Sequence, residues 1–359
     1  MIHLVKKMDI FLVGLIGIIL ISCGGGPDAD PPIAEINAKV DTLFGHEMID
    51  NYHWLCDRDN PEVIEYLNAE NEYTEAMTAH TKNLQDSLFI EMKSKIKETD
   101  LSAPVKRDNY FYYSRTEEGK QYRIYCRKEG TLEADEKVLL DVNALAEGLS
   151  YFHLGLYEIS PNHNLLAYAA DTSGNERYTI YIKNLSAGEL LPDIIENTGR
   201  SFEWANDNST FFYNKTDDAW RSHKIFRHSL GQNPENDKLI YHEQNESFDV
   251  GLYKSKDDRY IFMHSGSQTS SEVYFLNADY PFGQLRIIQP RLEDVEYWVR
   301  HHGGSFYIVT NADAKNYKLM RASVSYPQMS GWREVIAHRD SVKLDDVEMF
   351  KNYMAIYER

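Results

Sequence analysis

The chain has 359 residues, enough for one large domain or two ordinary ones. Its formal net charge of −18 argues against nucleic acid as a partner, because a basic patch is needed to neutralise phosphates; an acidic field instead draws cationic ligands. Three cysteines, Cys23, Cys56 and Cys126, are too few for a disulfide framework, and the 13% of aromatic residues tilts the chain towards strands.

At the N-terminus, Lys6 and Lys7 precede the apolar run "IFLVGLIGIILIS". That run is shorter than the ~20 residues of a comfortable membrane span and fits the apolar region of a signal peptide. It ends in Leu20-Ile21-Ser22-Cys23, which resembles the lipobox of bacterial lipoproteins. The resemblance implies cleavage of residues 1–22 and acylation of Cys23. Residues 23–32 include "GGGPD" and read as a flexible tether. The expected location is the bacterial envelope, on a lipid surface, with the outer membrane favoured by Gly24.

Residues 33–105 read as a helical arm. Asn60-Pro61-Glu62 is a helix start: Asn caps, Pro occupies the first turn, and Glu suits the positive end of the dipole. Val63, Tyr66, Leu67, Tyr73, Met77, Leu84, Leu88, Met92 and Ile96 recur mostly at three- and four-residue steps. This predicts one amphipathic helix or a pair, with an apolar stripe that needs a partner.

From residue 106 onwards the texture changes to short aromatic and β-branched runs that repeat. "NYFYYSR", "NLLAYAA", "STFFYNK", "RYIFMHS", "SFYIVTN" and "NYMAIYE" begin at residues 109, 164, 209, 259, 305 and 352. The first five are each followed by a second run, such as "YTIYIKN", and a third, such as "DKLIYHE". Several strands per unit at this period predict a β-propeller, in which blades bury their faces only against neighbouring blades. The runs make five nearly complete blades and the opening of a sixth. The first strand of each blade is less regular, as in "YFHLGLYEI" and "FDVGLYKS".

The stretch Gly303-Gly304-Ser305 looks like a nucleophile turn. However, Ser305 aligns with Asn109, Asn164 and Arg259 at the head of a repeated strand, and "FYIV" follows it. A nucleophile elbow needs small residues on both sides and a helix after it. Ser305 is therefore read as an ordinary strand residue, and His301 and His302 as solvated residues at a strand edge. No HExxH, paired Cys–His spacing or GxGxxG after a strand occurs, so no metal, nucleotide or other cofactor is expected. Cys126 falls at an alternating strand position and reads as packed. The Asn-x-Ser/Thr triplets at Asn184, Asn208, Asn214 and Asn245 are read as chance.

"DNYHWLCDRDNPEVIEYLNAENEY", Asp50 to Tyr73, resembles the N-terminal signature of the prolyl oligopeptidase family of serine peptidases. "YYSRTEEGKQYRIYCRK" looks most like its oligopeptidase B branch, and "FEWANDNSTFFY" and "TSSEVYFLNA" continue the likeness. Cys56 departs from the pattern, standing where the family more often has a charged residue. The resemblance implies a mainly β fold: a seven-bladed propeller, truncated here in blade six, preceded by an α-helical arm over 33–105. Its α/β-hydrolase catalytic domain, expected after the propeller, is missing from this chain. The family activity is cleavage of short peptides, here after Arg or Lys, with the propeller gating access. No catalytic, metal or specificity residue is carried onto this sequence, so the chain alone is expected to be inactive. Two other readings stay open: a non-enzymatic propeller binding module on a lipid tether, and complementation by a separately encoded hydrolase domain.

Overall fold

The computed structural model describes residues 29–359, so Cys23 and the segment before it lie outside the described residues. The chain divides into two compact units, one ending at Lys97 and the other spanning Glu98–Arg359.

The first unit begins with an antiparallel hairpin that the sequence did not announce. Strands β1 (Lys39–Leu43) and β2 (His46–Asp50) are joined by Phe44 and Gly45, both at positive φ, as a two-residue hairpin turn requires. A short 3-10 turn, His53–Cys56, follows. The predicted cap is present: Asn60 Oδ1 accepts the Glu62 N–H at 3.0 Å, with Pro61 in the first turn. Two helices result, α1 (Pro61–Thr78) and α2 (Lys82–Ser94). Of their residues only Val63 is buried, and Leu84, Phe89, Ile90 and Met92 each keep 60% or more of their surface exposed.

The second unit is a succession of antiparallel meanders. Blade 1 comprises β3 (Val105–Arg107), β4 (Tyr110–Arg115), β5 (Ile124–Glu129) and β6 (Lys137–Asp141). Leu101 also bridges Arg115, so the boundary between the units falls before residue 105. A helical turn, α3 (Val142–Ala146), leads to a seven-stranded sheet. Its strands are β7 (His153–Ile159), β8 (Leu165–Asp171), β9 (Tyr178–Asn184), β10 (Leu190–Trp204), β11 (Thr210–Thr216), β12 (Ser222–Ser229) and β13 (Lys238–His242).

That sheet is two blades sharing one strand. The first half of β10 pairs with β9 and closes blade 2; the second half pairs with β11 and opens blade 3. The register breaks between Thr198 and Phe202. Gly199 lies at the break, where a Cβ would come within 2.2 Å of Asn214 Nδ2 and would push that hydrogen-bonded side chain aside.

Blade 4 is β14 (Asp249–Lys254), β15 (Tyr260–Gly266), β16 (Ser271–Asn277) and β17 (Arg286–Gln289). Blade 5 is β18 (Tyr297–His302), β19 (Ser305–Thr310), β20 (Lys318–Ser323) and β21 (Arg333–Ile336). Blade 6 has two strands, β22 (Leu344–Met349) and β23 (Met354–Glu358). Every run picked out by its repeat is the second strand of a blade: β4, β8, β11, β15, β19 and β23.

The core is distributed between blades. Five apolar clusters sit at the junctions of blades 1 and 2, 2 and 3, 3 and 4, 4 and 5, and 5 and 6. Strand side chains alternate faces, so a second strand feeds two clusters at once. In β8, Leu166, Tyr168 and Ala170 face blade 1, while Ala167 and Ala169 face blade 3. In β19, Phe306 and Ile308 face blade 4 and Val309 faces blade 6. The ends of the series carry exposed apolar residues: Val105 and Val138 on blade 1, and Tyr353, Ile356 and Tyr357 on blade 6.

Polar networks also tie neighbouring blades. Arg291, after β17, pairs with Glu243 of blade 3 and, at 2.6 Å, with Glu272 of blade 4. Burial opposes ionisation of Glu243. The Arg291 guanidinium, Ser265, the Asn245 N–H and Tyr241 outweigh that and hold it down to about 2.

Phe306 is fully buried and meets the rings of Phe262, Phe275 and Tyr260 at centroid distances of 5.7, 4.9 and 5.7 Å. Phe306→Ala should lower unfolding stability by ~3–5 kcal/mol in urea titration, against less than about 0.5 kcal/mol for Tyr353→Ala at an exposed site. Equal losses at the two positions would contradict the placement of the core between blades.

Candidate functional site: the inner wall of the ring

The first strands of successive blades stand side by side and are linked directly. Trp204 Nε1 donates to Glu158 O at 3.2 Å, joining blades 3 and 2. The Leu252 N–H donates to Ser201 Oγ at 2.6 Å, joining 4 and 3. Tyr253 OH donates to Val299 O at 3.1 Å, joining 4 and 5. Arg300 Nη2 donates to Asp346 Oδ2 at 2.7 Å and Trp298 Nε1 to Asp346 Oδ1 at 3.0 Å, joining 5 and 6. The fourth strands β13 and β21, by contrast, have no buried residue and are exposed at three positions each. The first strands therefore form the inner wall.

One end of this wall is charged. Arg107, Glu158, Glu203, Lys254 and Glu348 occupy the last or next-to-last positions of β3, β7, β10, β14 and β22. Lys254 Nζ donates to Asn206 Oδ1 at 2.6 Å and lies 3.7 Å from Asp258. Glu158, Glu203 and Lys254 are only half-buried by solvent contact, yet protein surrounds them closely enough to strip away much of their hydration. That combination suits side chains facing a narrow lumen. Desolvation lifts the Glu158 carboxyl above its ordinary range against the pull of Arg107 and Lys254. Desolvation, reinforced by the charges of Glu158 and Asp258, pushes Glu203 up to about 8. The same loss of water lowers Lys254, although Asp258 and Glu203 oppose it.

Between β14, β18 and β22 the wall opens into a cavity of about 360 Å³, lined by Tyr253, Lys254, Arg300, His301 and Glu348 among others. A second cavity beside it is bounded by His264, Trp298, Asp345 and Asp346. Such a surface presents both signs of charge and aromatic faces.

The residues singled out in the sequence lie elsewhere. Gly303 and Gly304 both have positive φ and form the two-residue turn between β18 and β19. Ser305 is the first residue of β19, buried, and its Oγ accepts from Arg321 Nε at 3.0 Å. The expectation for His301 needs correction: it is buried, 2% exposed, with Nδ1 2.7 Å from Asp257 Oδ2. Alternation along β18 turns Tyr297, Val299 and His301 to the core and leaves His302 part-exposed. Cys126 is fully buried, and desolvation pushes its thiol up to about 12. Glu158, Glu203 and Lys254 were missed. Each belongs to an irregular first strand, and the wall brings them together across 45 residues or more.

The architecture and its lumen define a β-propeller whose inner wall is built from first strands. Residues 31–359 match the family described as "Prolyl oligopeptidase, N-terminal beta-propeller domain", and the chain belongs to the prolyl oligopeptidase family. It is 38% identical over 348 residues to dipeptidyl aminopeptidase BI of Pseudoxanthomonas mexicana, covering 92% of this chain and 48% of that protein. It is 33% identical over 335 residues to protease 2 of Moraxella lacunata, covering 91% and 48%. Oligopeptidase B from Leishmania major superposes with a TM-score of 0.84 at 32% identity, over 92% of this chain and 50% of that one. The chain thus spans about half the length of the relatives it matches.

Glu203 supplies a pH test. Its folded value of about 8 stands above the ordinary 4.5, so between those limits the folded state holds a proton that the unfolded chain has lost. Stability from this group is therefore fully present at low pH and falls as pH rises through that window. Glu203→Gln removes the titration. Its Tm relative to the parent should climb from pH 5 to pH 8.5; a pH-independent difference would rule out the enclosed lumen.

Proposed function

We propose that this chain is the propeller-bearing part of an oligopeptidase B-like serine peptidase that cleaves short peptides after Arg or Lys. The observation that carries this reading is the family match over 31–359 to relatives about twice as long. In such an enzyme the ring admits narrow, flexible chains to a hydrolase domain and excludes folded proteins. The net charge of −18 draws cationic peptides towards the ring, and the acidic side chains Glu158, Glu203 and Glu348 lie along their route as hydrogen-bonding groups of the lumen. The nucleophile, base and oxyanion donors belong to the hydrolase domain, so the 359 residues alone hydrolyse nothing. Acylated Cys23 and the tether behind it hold the protein at an envelope membrane. Among the described residues no helix is long and apolar enough to cross a membrane.

The test compares the purified chain with a chimera in which it replaces the matching half of dipeptidyl aminopeptidase BI. With a fluorogenic peptide ending in Arg, the chain alone should give no hydrolysis. The chimera should cleave it, and should spare a folded protein substrate. Activity of the chain alone that survives repurification, or an inactive folded chimera, would overturn the proposal. In the same host, Cys23→Ser should abolish incorporation of labelled palmitate.

A further inference from the structure

The lead-in unit carries a second constellation, unrelated to the ring. Asp50, His53 and Cys56 are spaced by three residues. Asp50 ends β2, and the chain passes directly into the 3-10 turn His53–Cys56. At three residues per turn, positions i and i+3 eclipse, so His53 and Cys56 fall on one face of the turn, and Asp50 reaches His53 from the end of the strand. Cys56 Sγ lies 3.8 Å from His53 Nε2, and Asp50 Oδ2 lies 3.7 Å from His53 Nδ1. The second Asp50 oxygen accepts the Tyr52 N–H at 3.0 Å, which fixes the carboxylate behind the ring. Lys39 stands opposite Asp50 in the hairpin register, with Nζ 3.3 Å from His53 Nε2 and 3.1 Å from Asp41.

This is a nucleophile, a base within reach of it, and a carboxylate oriented on the far side of that base. It is the arrangement that activates thiols and hydroxyls on unrelated folds, with the looser distances usual before a reactant is bound. Cys56 is exposed, whereas Cys126, the other described cysteine, is buried. Lys39 adds a positive charge beside the His53 ring and is itself paired with Asp41. None of these groups belongs to the inner wall.

We propose that Cys56 is a reactive nucleophile that exchanges with small disulfides, with His53 as its base and Asp50 as the group that positions His53. His53 Nε2 takes the thiol proton as Sγ attacks one sulfur of R–S–S–R. The Sγ–S bond forms while the S–S bond breaks, and the departing R–S⁻ recovers the proton from His53. The products are a mixed disulfide on Cys56 and one free R–SH. The small disulfide is the only oxidant required. The lead-in unit thereby gains a reversible modification site, independent of peptidase chemistry.

The experiment follows thionitrobenzoate release from 5,5′-dithiobis(2-nitrobenzoate) by the full chain carrying Cys23→Ser, in buffer and in urea. In buffer, one thiol per chain should react in a fast phase that Cys56→Ser removes, while Cys126 stays silent until urea is added. His53→Gln should slow that phase by about tenfold or more, and this difference should vanish in urea, where the array is lost. Asp50→Asn should give an intermediate rate. The proposal fails if Cys56→Ser keeps the fast phase, if His53→Gln reacts within about twofold of the parent in buffer, or if the parent reacts no faster folded than in urea. That last result would mean an unassisted thiol.

Discussion

Everything in the ring depends on one constraint: no blade has a core of its own. Each four-stranded meander is apolar on both faces, and the five clusters lie where one blade meets the next. Isolated, a blade would expose Tyr168, Phe211, Phe262 or Phe306 to water; stacked, it buries them completely or nearly so. The inner wall follows from this. Once blades must pack face to face around an axis, their first strands are brought within hydrogen-bonding distance, and whatever those strands carry is concentrated along one lumen.

The same constraint explains what the amino-acid sequence discloses. A second strand buried on both faces cannot alternate polar and apolar residues, so "LLAYAAD" and "SFYIVT" stand out as continuous runs and expose the repeat. First strands have one face on the core and one on the lumen, so "HLGLYEI" and "DVGLYK" mix Leu, Gly, Tyr and charge and read as irregular. β10 was legible only as a fourth strand, "ELLPDII". That it continues through Gly199 into the next blade depends on Asn214, which lies across the sheet. The β1–β2 hairpin was hidden because Phe44, an unusual residue for positive φ, occupies its turn. His301 was misjudged because its partner, Asp257, lies 44 positions earlier, on the preceding blade.

Charge is distributed in two ways. Between blades, carboxylates are fully paired: Glu243 and Glu272 share Arg291, and His228 is held between Asp193 and Asp237 at 2.9 and 2.7 Å. Burial alone would lower His228, but hydrogen bonds and charge from Asp237 and Asp193 outweigh it and raise it, which favours the protonated ring held between the two acids. At the lumen, Glu158, Glu203 and Lys254 are enclosed but incompletely matched, and their shifts run against their charges. Incomplete pairing facing a cavity is what separates a surface for transient ligands from a structural clasp. The Asp50–His53–Cys56 cluster differs from both: it is exposed, local in sequence and made where the end of β2 meets a 3-10 turn.

Hydrogen exchange read by mass spectrometry gives the most direct test of cores shared between blades. Backbone amides of β8, β11, β15 and β19, flanked by clusters on both faces, should exchange most slowly and as one cooperative set. Those of β13, β17, β21 and β23 should exchange orders of magnitude faster. If β23, at the end of the series, were as protected as β15, or if each blade opened with its own independent rate, the account of a core held in common by neighbouring blades would be wrong.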